Sequence, residues 1–370
     1  MTLGNSMNKT VIFVTDSLGS GGAQQVVVEL ARLFDSSGYR VHIIAIKNEC
    51  KLTIPKSIDL ICLNFKKGLG IYRWLTDLYY CQKLRKIIRK IERQNHVAAI
   101  FAHEMFSSFL LGNFKSKSPV FHTIHTNYSE GYLNGKKSGR RFKKLRKLYN
   151  QKNILTVSEG IANDLLNNFK VFPKFIQTMY NPFDFENIKE LSLNPIDFKE
   201  EEFILTVGRF SKEKRHDILL KAYWAANISL PLVIIGDGSI YEKKHLKEMI
   251  ETLDLTEKVY LAGFKKNPYA WMRRAKLFVL SSDFEGLSNV LIESLICGTP
   301  AISTNCPSGP SEILISTPDA LSPVGDVEKL SYNIVKFSQN PPEINQADLS
   351  RFDSKTILKQ YESYIAQLSF

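Results

Sequence analysis

Two glutamates, Glu285 and Glu293, stand eight positions apart in the segment SSDFEGLSNVLIESLICGTP at 281–300. The pattern predicts a strand before Glu285 and a helix that begins near Ser288, with Glu293 in its first two turns. The backbone amides at such a helix N-terminus would favour an anion, for example a diphosphate. Two carboxylates beside that anion could accept hydrogen bonds from sugar hydroxyls. Two exposed glutamates on an amphipathic helix are also an ordinary surface feature, so the spacing alone leaves both interpretations open.

A second candidate site is the positively charged loop in the segment FILTVGRFSKEKRHD. A predicted strand ends at Gly208, Arg209 follows directly, and Lys214 comes five residues later. Arginine supplies a planar fork of donors and lysine a compact charge, a pair that suits a diphosphate. A solvated basic loop is the alternative, and His216 is expected to face solvent at the start of the next helix.

A third candidate is a glycine-rich turn near the N-terminus. The first predicted strand ends at Asp16, and Gly19, Gly21 and Gly22 precede a helix that starts near Ala23. Glycines let a ligand approach the backbone, and free amides at a helix N-terminus attract anions. The spacing is neither the dinucleotide-binding fingerprint nor a P-loop, so a tight strand-to-helix turn is an equal alternative.

Short β-rich runs alternate with helical stretches along the chain, an order that is typical of parallel sheets covered by helices. The predicted strands are 10–15, 40–46, 58–63, 97–102, 119–124, 153–157, 175–180, 203–207, 231–236, 258–263, 275–282 and 299–304. The polar, acidic segment 187–202 interrupts this order, and we place a domain boundary there. We therefore predict an α/β protein of two doubly wound, Rossmann-like domains facing each other across a cleft, with ligands at the carboxyl ends of the strands.

The composition excludes several classes of protein. The 370 residues are 44% hydrophobic and 23% charged, which is the range of soluble globular proteins, and their number predicts two domains. No apolar run approaches the roughly 18 residues of a membrane-spanning helix, and the N-terminal segment lacks the hydrophobic core of a signal peptide, so a cytoplasmic location is expected. The five cysteines have no metal-binding spacing and are interpreted as reduced thiols. A net charge of +12 favours an anionic partner.

Together these segments resemble the retaining glycosyltransferases of family 4 (glycosyl transferases group 1), which include bacterial lipopolysaccharide and capsule enzymes. Glu285 to Glu293 fits that family's E-x(7)-E motif, Gly208 to Lys214 resembles its G-R-x(4)-K segment, and GGAQQVVVELA resembles its glycine-rich loop. Further segments that resemble the family, in the expected order, are HTIHTN at 122–127, LTVSEGI at 155–161, YNPFD at 180–184 and CPSGPSEIL at 306–314. The resemblance covers nearly the whole chain. It implies the GT-B fold, with an acceptor-side domain of residues 1–186 plus 354–370 and a nucleotide-sugar domain of residues 187–353.

The resemblance also implies a role for each residue that matches. Arg209 and Lys214 would neutralise the donor diphosphate. Glu293 would hold the ribose hydroxyls, and Glu285 would hold the transferred sugar. His125 would reach the donor sugar, with a buried, hydrogen-bonded histidine at a strand end as the alternative. The other residues assigned to the donor site are Gly21, Gly22, Gly208, Gly263, Phe264, Gly286, Leu287, Ser288 and Asn289.

One departure from the family pattern lies inside the motif, where Leu287 and Ser288 stand in place of a frequent Phe-Gly. We expect the Ser288 hydroxyl to cap the helix rather than to contact the sugar. The sequence contains no D-x-D metal-binding pattern, so Arg209 and Lys214 are expected to substitute for a divalent cation. No metal and no cofactor are expected, and the nucleotide sugar is a substrate. Retention in this family is usually explained by front-face attack, in which an oxygen of the leaving phosphate accepts the acceptor proton and Glu285 is a positioning residue.

Two basic amphipathic segments lie in the first predicted domain, at 83–93 and 135–152. Such segments attract anionic lipid headgroups, so we expect them to hold the protein against a membrane surface, and no nucleic acid partner is expected. Two ordinary helices that pack an apolar face on the sheet are the alternative. Residues 354–368 predict a final helix, which in this fold usually returns to the first domain.

We therefore predict a metal-independent, retaining hexosyltransferase that is peripheral on the cytoplasmic face of the inner membrane. It would move a hexose or N-acetylhexosamine from a nucleoside diphosphate sugar, in the first place a UDP-sugar, to a lipid-linked, lipopolysaccharide or capsule glycan. One alternative is a UDP-sugar 2-epimerase of the same fold, which would need no acceptor. The other is a noncatalytic basic module that binds membranes or nucleic acid through 83–93 and 135–152.

Overall fold

The computed structural model describes residues 9–19, 21–66, 68, 72–133 and 139–368. Its contacts divide the chain into two compact units, of which the first is Met1–Pro182 with Ser354–Phe370 and the second is Phe183–Asp353. The second unit therefore starts at Phe183, whereas the sequence placed the boundary at 187. The physical reason is that the helix Phe185–Ser192 packs against helices of the second unit, and the Asn267 side chain donates a hydrogen bond to the Leu191 carbonyl at 2.8 Å.

The first unit is an alternating α/β structure. Its strands are β1 (Lys9–Thr15), β2 (Arg40–Ala45), β3 (Asp59–Cys62), β4 (His96–His103), β5 (Val120–Ile124), β6 (Asn153–Thr156) and β7 (Phe175–Thr178). Its helices are α1 (Gly22–Ser36), α2 (Tyr72–Gln94), α3 (Met105–Leu111), α4 (Tyr128–Gly131), α5 (Gly139–Tyr149), α6 (Glu159–Asn163) and, from the end of the chain, α15 (Ser354–Leu368). A short π-helical turn, Asp164–Asn168, continues α6.

The strands of the first unit form one parallel sheet in the order β3-β2-β1-β4-β5-β6-β7. Alternate residues of β1 enter two hydrophobic clusters. Val11 and Phe13 pack with α1 and α15, whereas Ile12 and Val14 pack with α2. Both faces are covered, which explains why these strands are continuous apolar runs. The strand order reverses between β1 and β4, and in such sheets the carboxyl ends at this reversal form the ligand crevice.

The basic segments of the first unit belong to helices whose apolar sides face inward. In α2 the buried residues include Leu84, Ile88 and Ile91, while the basic side chains of Arg89 and Lys90 are exposed. In α5 the buried residues are Leu145 and Tyr149. Residues 135–138 of the second segment lie outside the described residues. The described parts therefore pack as ordinary amphipathic helices that present their charges to solvent.

The second unit repeats the α/β pattern. Its strands are β8 (Ile204–Val207), β9 (Leu232–Ile235), β10 (Val259–Gly263), β11 (Leu277–Leu280), β12 (Ala301–Thr304) and β13 (Leu321–Ser322). Its helices are α7 (Phe185–Ser192), α8 (His216–Ala226), α9 (Ile240–Thr252), α10 (Tyr269–Arg274), α11 (Asn289–Ile296), α12 (Pro310–Ile313), α13 (Val327–Gln339) and α14 (Gln346–Leu349). Short 3-10 turns cover Lys212–Lys214, Pro318–Ala320 and Ser350–Phe352.

The second sheet is also parallel, in the order β10-β9-β8-β11-β12-β13, and its strand order reverses between β8 and β11. The prediction of two α/β domains with parallel sheets is confirmed, and each of the twelve predicted strands is present. The sequence missed β13, which is two residues long and therefore too short to show an apolar pattern. Among the described helices, none is long and apolar enough to cross a membrane.

Candidate active site

Lys214 and Glu285 meet at the reversal of the second sheet. Lys214 lies in the loop that follows β8, and Glu285 in the loop that follows the neighbouring strand β11. The Lys214 Nζ lies 2.6 Å from Oε1 of Glu285, and the Ser282 hydroxyl donates to the same oxygen at 2.7 Å. The two side chains are only 18% and 10% exposed. The structure therefore brings together two residues that stand 71 positions apart in the sequence.

Backbone contacts fix these two loops against each other. The amide of Asp283 donates to the Glu213 carbonyl at 2.8 Å, and the Ser281 hydroxyl donates to the Lys214 carbonyl at 2.8 Å. Arg215 adopts a left-handed conformation with φ of 48° and donates to Asp283 at 2.9 Å. The cationic loop is thus held by the strand ends, and it is not a freely solvated basic loop.

Arg209 occupies a different position from Lys214 within the same loop. Its side chain is 75% exposed, and the only ion pair described for it is a 3.5 Å contact with Glu213. Lys214 is instead enclosed and paired with Glu285. A guanidinium that projects into solvent keeps most of its five donors available for an anion. Of these two cations, Arg209 is accessible and Lys214 is already neutralised by a carboxylate.

Glu293 lies in α11, as the sequence predicted, but it has an unusual titration. Burial raises the pKa of this carboxyl to about 7, although a hydrogen bond with Tyr269 opposes the shift. A carboxyl with such a pKa is present in both protonation states at neutral pH. It can then donate as well as accept a hydrogen bond, which suits recognition of paired hydroxyls.

The N-terminus of α11 carries the other residues of the motif. Gly286 is partly exposed, Leu287 and Ser288 are buried, and Asn289 is the first helical residue. The segment after β12 approaches this point so closely that a Cβ on Gly309 would lie 3.3 Å from the Ser288 amide nitrogen. Gly309 also has φ of 109°, which favours glycine.

The expected side-chain cap at Ser288 is wrong. Ser288 has the backbone position of an N-cap, with φ of −77° and ψ of 90°, yet its side chain makes no cap hydrogen bond. Its hydroxyl is buried and has no hydrogen-bond partner among the described residues. Asp184 and Asp326 have similar N-cap backbone angles and do cap their helices, so the orientation of the Ser288 hydroxyl, and not its backbone, accounts for the missing cap.

Gly263 and Phe264 mark the end of β10, two strands away from β8 in the sheet. Gly263 has φ of 70°, so the chain turns sharply there. Phe264 is 72% exposed, which is unusual for an aromatic side chain at a strand end. An exposed ring beside a polar sheet edge is available for stacking on a planar ligand.

The sequence missed the G-D-G turn at 236–238. A Cβ on Gly236 would lie 1.8 Å from the Gly208 carbonyl oxygen, so only glycine permits this approach of the β8 and β9 ends. The Phe210 amide also donates to the Asp237 carbonyl at 2.9 Å. Two glycines at the end of the predicted strand 231–236 and just after it were the signal that could have identified this turn.

The prediction that His216 faces solvent is wrong. The residue is 8% exposed, and its ring packs edge-on against Phe210 with a centroid distance of 5.5 Å. Burial, together with the charge of Lys214, lowers its pKa to about 4. The left-handed turn at Arg215 directs the start of α8 inward, a conformation that the sequence pattern does not show.

In the first unit the glycine turn positions a glutamine. A Cβ on Gly21 would lie 2.2 Å from Oε1 of Gln24, and Gln24 donates from Nε2 to Oε1 of Glu104 at 2.8 Å. Gly22 is the first residue of α1. The structure thus explains why position 21 is a glycine, because a side chain there would occupy the space of the Gln24 side chain.

A pair of carboxyl groups lies at the reversal of the first sheet, and the sequence analysis did not assign it. Asp16 follows β1 and Glu104 follows β4. Glu104 has φ of 73° and accepts hydrogen bonds from the Asp16 amide and the Thr15 hydroxyl, each at 3.3 Å. Asp16 accepts from the Ser107 amide at 2.7 Å. The signal for this pair was weak, because each acid is a single residue at a strand end.

The titration of this pair is shifted toward neutral pH. Burial raises the pKa of Asp16 to about 6. Burial, together with the charge of Asp16, raises the pKa of Glu104 to about 7, although Lys47 opposes the shift. Shifts of this size at a sheet reversal are typical of functional sites.

His125 lies beside the same edge of the first sheet, one residue after β5. Its Nε2 lies 2.8 Å from Nδ1 of His103, and the two rings stack at a centroid distance of 5.1 Å. Burial lowers the pKa of His125 to about 4 and that of His103 well below its ordinary value. Both rings are therefore neutral at pH 7, and one donates to the other. This geometry is that of a buried, hydrogen-bonded histidine at a strand end, which was the alternative interpretation of His125. A contact of His125 with the donor sugar stays a prediction.

The predicted site residues thus fall into two groups. Gly21, Gly22 and His125 belong to the first unit, and the other predicted residues belong to the second unit. Among the described residues, no group of three or more histidine, cysteine, aspartate or glutamate side chains is arranged to hold a metal ion.

Comparisons with known proteins identify relatives of this chain. The family described as Glycosyltransferase Family 4 matches residues 20–187, and the family described as Glycosyl transferases group 1 matches residues 189–352. The chain is 34% identical over 310 residues to the N-acetylgalactosamine-N,N'-diacetylbacillosaminyl-diphospho-undecaprenol 4-alpha-N-acetylgalactosaminyltransferase of Campylobacter jejuni, which covers 83% of each chain. It is 24% identical over 391 residues to the lipopolysaccharide 1,6-galactosyltransferase of Salmonella typhimurium, covering 96% of this chain and 98% of that protein.

A solved structure shares the fold over nearly the full length. The Anabaena protein HepE, solved in complex with UDP, superposes with a TM-score of 0.73 at 17% identity, covering 97% of this chain and 100% of HepE. The two family matches together cover residues 20–187 and 189–352 of the chain. This chain is therefore a member of the group 1 glycosyl transferases, with the two parallel α/β units of the GT-B fold.

Proposed function

We propose that this glycosyltransferase moves a hexose or N-acetylhexosamine from a UDP-sugar to a lipid-linked, lipopolysaccharide or capsule glycan, with retention of anomeric configuration. The observation that carries the proposal is the enclosed Lys214–Glu285 pair at the reversal of the second sheet. It lies beside the N-terminus of α11, whose backbone amides favour a diphosphate.

The donor is held by charges of the second unit. Cleavage of a glycosyl phosphate places negative charge on the leaving diphosphate, which preorganised cations and amides stabilise. Arg209 is exposed and can approach the outer phosphate oxygens. Lys214 would exchange part of its contact with Glu285 for a phosphate oxygen, which leaves the Glu285 carboxylate to accept a hydrogen bond from the sugar.

The nucleoside part of the donor would lie along the edge from α11 to β10. Glu293 is proposed to bind the ribose hydroxyls, since it is present in both protonation states near pH 7. The exposed ring of Phe264 is proposed to stack on the base. UDP is the proposed nucleotide, and the UDP complex of HepE supports that choice.

The acceptor side of the reaction is proposed for the first unit. The Asp16 and Glu104 carboxyl groups lie at the sheet reversal and can accept a hydrogen bond from an acceptor hydroxyl. In the retaining reaction, the acceptor oxygen attacks on the face that the diphosphate leaves, and a phosphate oxygen takes the proton. Glu285 and Glu104 are then positioning residues.

The names of the relatives and the charge of the chain support a proposal for the class of acceptor and the cellular location. The Campylobacter and Salmonella relatives are named for a diphospho-undecaprenol substrate and for lipopolysaccharide. The exposed basic sides of α2 and α5 support attachment to an anionic membrane surface. We propose that the protein is peripheral on the cytoplasmic face of the inner membrane.

A binding panel followed by a transfer assay tests this function. UDP and UDP-sugars are expected to raise the melting temperature of the wild-type protein, and Arg209→Ala and Glu293→Ala are expected to remove that rise while both variants stay folded. The UDP-sugar that binds is then incubated with a glycan acceptor, and the anomeric configuration of the product is read by NMR.

The outcomes of these assays distinguish a transferase from an epimerase and from a noncatalytic basic module. UDP release that requires an acceptor supports transfer, whereas 2-epimerised UDP-sugar without an acceptor would support the epimerase. No shift with any nucleotide would overturn the donor site and favour a noncatalytic basic module.

A further inference from the structure

A cavity of about 520 Å³ opens in the first unit, where α2, α3 and α5 approach the sheet. This volume lies in the range of small-molecule sites, roughly 300–1,000 Å³. Asp16, at the reversal of the sheet, forms part of its wall. The cavity therefore begins at the proposed acceptor edge and extends away from it toward the basic helices.

Four cations surround this cavity: Arg73 of α2, Lys144 and Lys147 of α5, and Lys152 just before β6. Two carboxylates, Asp16 and Asp77, also border it. Within the part of the chain that the structure describes, none of the four cations forms an ion pair with a carboxylate. A group of unpaired cations around a concave surface attracts an anion.

Among these cations, Lys152 shows the attraction for an anion most directly. It is partly buried, and its Nζ donates to two neutral oxygens, the Gly112 carbonyl at 2.8 Å and the Asn113 side chain at 2.9 Å. Burial and the charge of Arg85 lower its pKa. A desolvated ammonium with neutral partners gains more from an anion than an exposed lysine does.

The remaining wall of the cavity is apolar. Met105, Phe106 and Phe109 of α3 line it, together with Leu145 and Leu148 of α5. A purely ionic ligand would not benefit from such a wall, because burying apolar surface contributes only when the ligand has apolar surface too.

An exposed apolar surface continues from the cavity along the start of α2. Trp74, Leu75 and Leu78 are 63%, 45% and 47% exposed, beside the cavity residues Arg73 and Asp77. Exposed large apolar side chains in a contiguous group are typical of contacts with lipid or another apolar partner.

We propose that this cavity binds the lipid diphosphate of the acceptor, with the diphosphate on the four cations and the first isoprenoid units on the apolar wall. The attached sugar would then lie toward Asp16 and Glu104. The inference rests on the proposed transferase function, and it adds that the substrate class is an isoprenoid diphosphate glycan. Acceptors that lack a diphosphate would be poor substrates.

Binding of farnesyl diphosphate to the full-length protein, measured by calorimetry without any donor, tests the proposal. Inorganic pyrophosphate supplies the anion alone, and farnesol supplies the chain alone. Farnesyl diphosphate is expected to bind at least about tenfold more tightly than either probe, because it engages both parts of the cavity.

A pair of double variants distinguishes binding in the cavity from nonspecific attraction by positive charge. Lys144→Glu with Lys147→Glu changes two cavity cations, and Lys143→Glu with Arg146→Glu makes the same charge change on exposed residues of the same helix. The first pair is expected to weaken farnesyl diphosphate binding on the order of thirtyfold, while the second changes it less than about threefold. Phe109→Ser is expected to weaken farnesyl diphosphate binding and to leave pyrophosphate binding unchanged.

Several results would overturn the proposal. An equal loss of farnesyl diphosphate affinity in the two double variants would indicate attraction by positive charge alone. Equal affinity for pyrophosphate and farnesyl diphosphate would show that the apolar wall does not contribute to binding. No binding of either probe by folded wild-type protein would exclude the site. These outcomes are independent of UDP binding, so a failed cavity and a failed transferase function are distinguishable.

Discussion

Replacing Glu104 with glutamine is expected to make the protein more stable above neutral pH and slower in transfer. The variant keeps the shape of the side chain and an acceptor for Gln24, which donates to Glu104 at 2.8 Å. It removes a negative charge that is buried close to Asp16. A group kept at a cost to stability is typical of a functional position.

The magnitude follows from the titration of this carboxyl. Its pKa rises from an ordinary 4.5 to about 7 on folding. Each tenfold change in an acid dissociation constant corresponds to about 1.4 kcal/mol, so the ionised carboxylate costs at most about 3.5 kcal/mol. The folded state binds the proton more tightly than the unfolded state, so stability falls as pH rises from about 4.5 to about 7. Above that pH the cost is complete, and below about 4.5 it is absent.

The expected gain in the variant is smaller than this bound. The amide nitrogen of glutamine meets the Asp16 amide and the Thr15 hydroxyl, both of which now donate to Glu104. Loss of those contacts offsets part of the gain, since a hydrogen bond contributes about 1 kcal/mol. We therefore expect Glu104→Gln to stabilise the protein by about 1–2 kcal/mol at pH 8, or roughly 2–8 °C in melting temperature.

Calorimetric melting of the wild type and the variant at pH 5, 6.5 and 8 measures this difference. Glu29→Gln is the matched control, because Glu29 is 46% exposed and pairs with Arg32 at the surface. The reasoning is refuted when Glu104→Gln gives the same difference at pH 5 and pH 8, or when it lowers the melting temperature at pH 8. Unchanged transfer by a stabilised variant would place Glu104 outside the acceptor site.

Three further predictions concern the second unit and the chemistry. Lys214→Ala is expected to lower UDP affinity at least about tenfold in calorimetry, whereas Lys212→Ala, an exposed cation in the same turn, changes it little; equal effects would remove Lys214 from the site. Gly236→Ala is expected to destabilise the protein by several kcal/mol, since its Cβ would lie 1.8 Å from the Gly208 carbonyl oxygen, and an unchanged melting temperature would contradict that approach. Transfer is expected to continue in excess EDTA if Arg209 and Lys214 neutralise the diphosphate as proposed, and loss of activity that Mg²⁺ restores would contradict this role.

Much of the fold could be predicted because parallel strands covered on both faces are continuous apolar runs. β1 and β4 are buried along nearly their whole length, so their sequences alone identify them. The two-residue β13 and the left-handed turn at Arg215 have no such pattern. The turn at Arg215 is stabilised by Asp217 and Asp283, and the second of these lies 68 positions away.

The sequence by itself determined the class of fold and the family, because both depend on patterns of local spacing, and the same patterns predicted the donor-site residues. Tertiary structure decided which of those groups act together. It paired Lys214 with Glu285, buried His216, left the Ser288 hydroxyl without a cap, and brought Asp16 to Glu104 at the reversal of the first sheet. The physical reason is that burial and the approach of distant strand ends set the charge and the partners of a side chain, and neither is a property of neighbouring residues in the sequence.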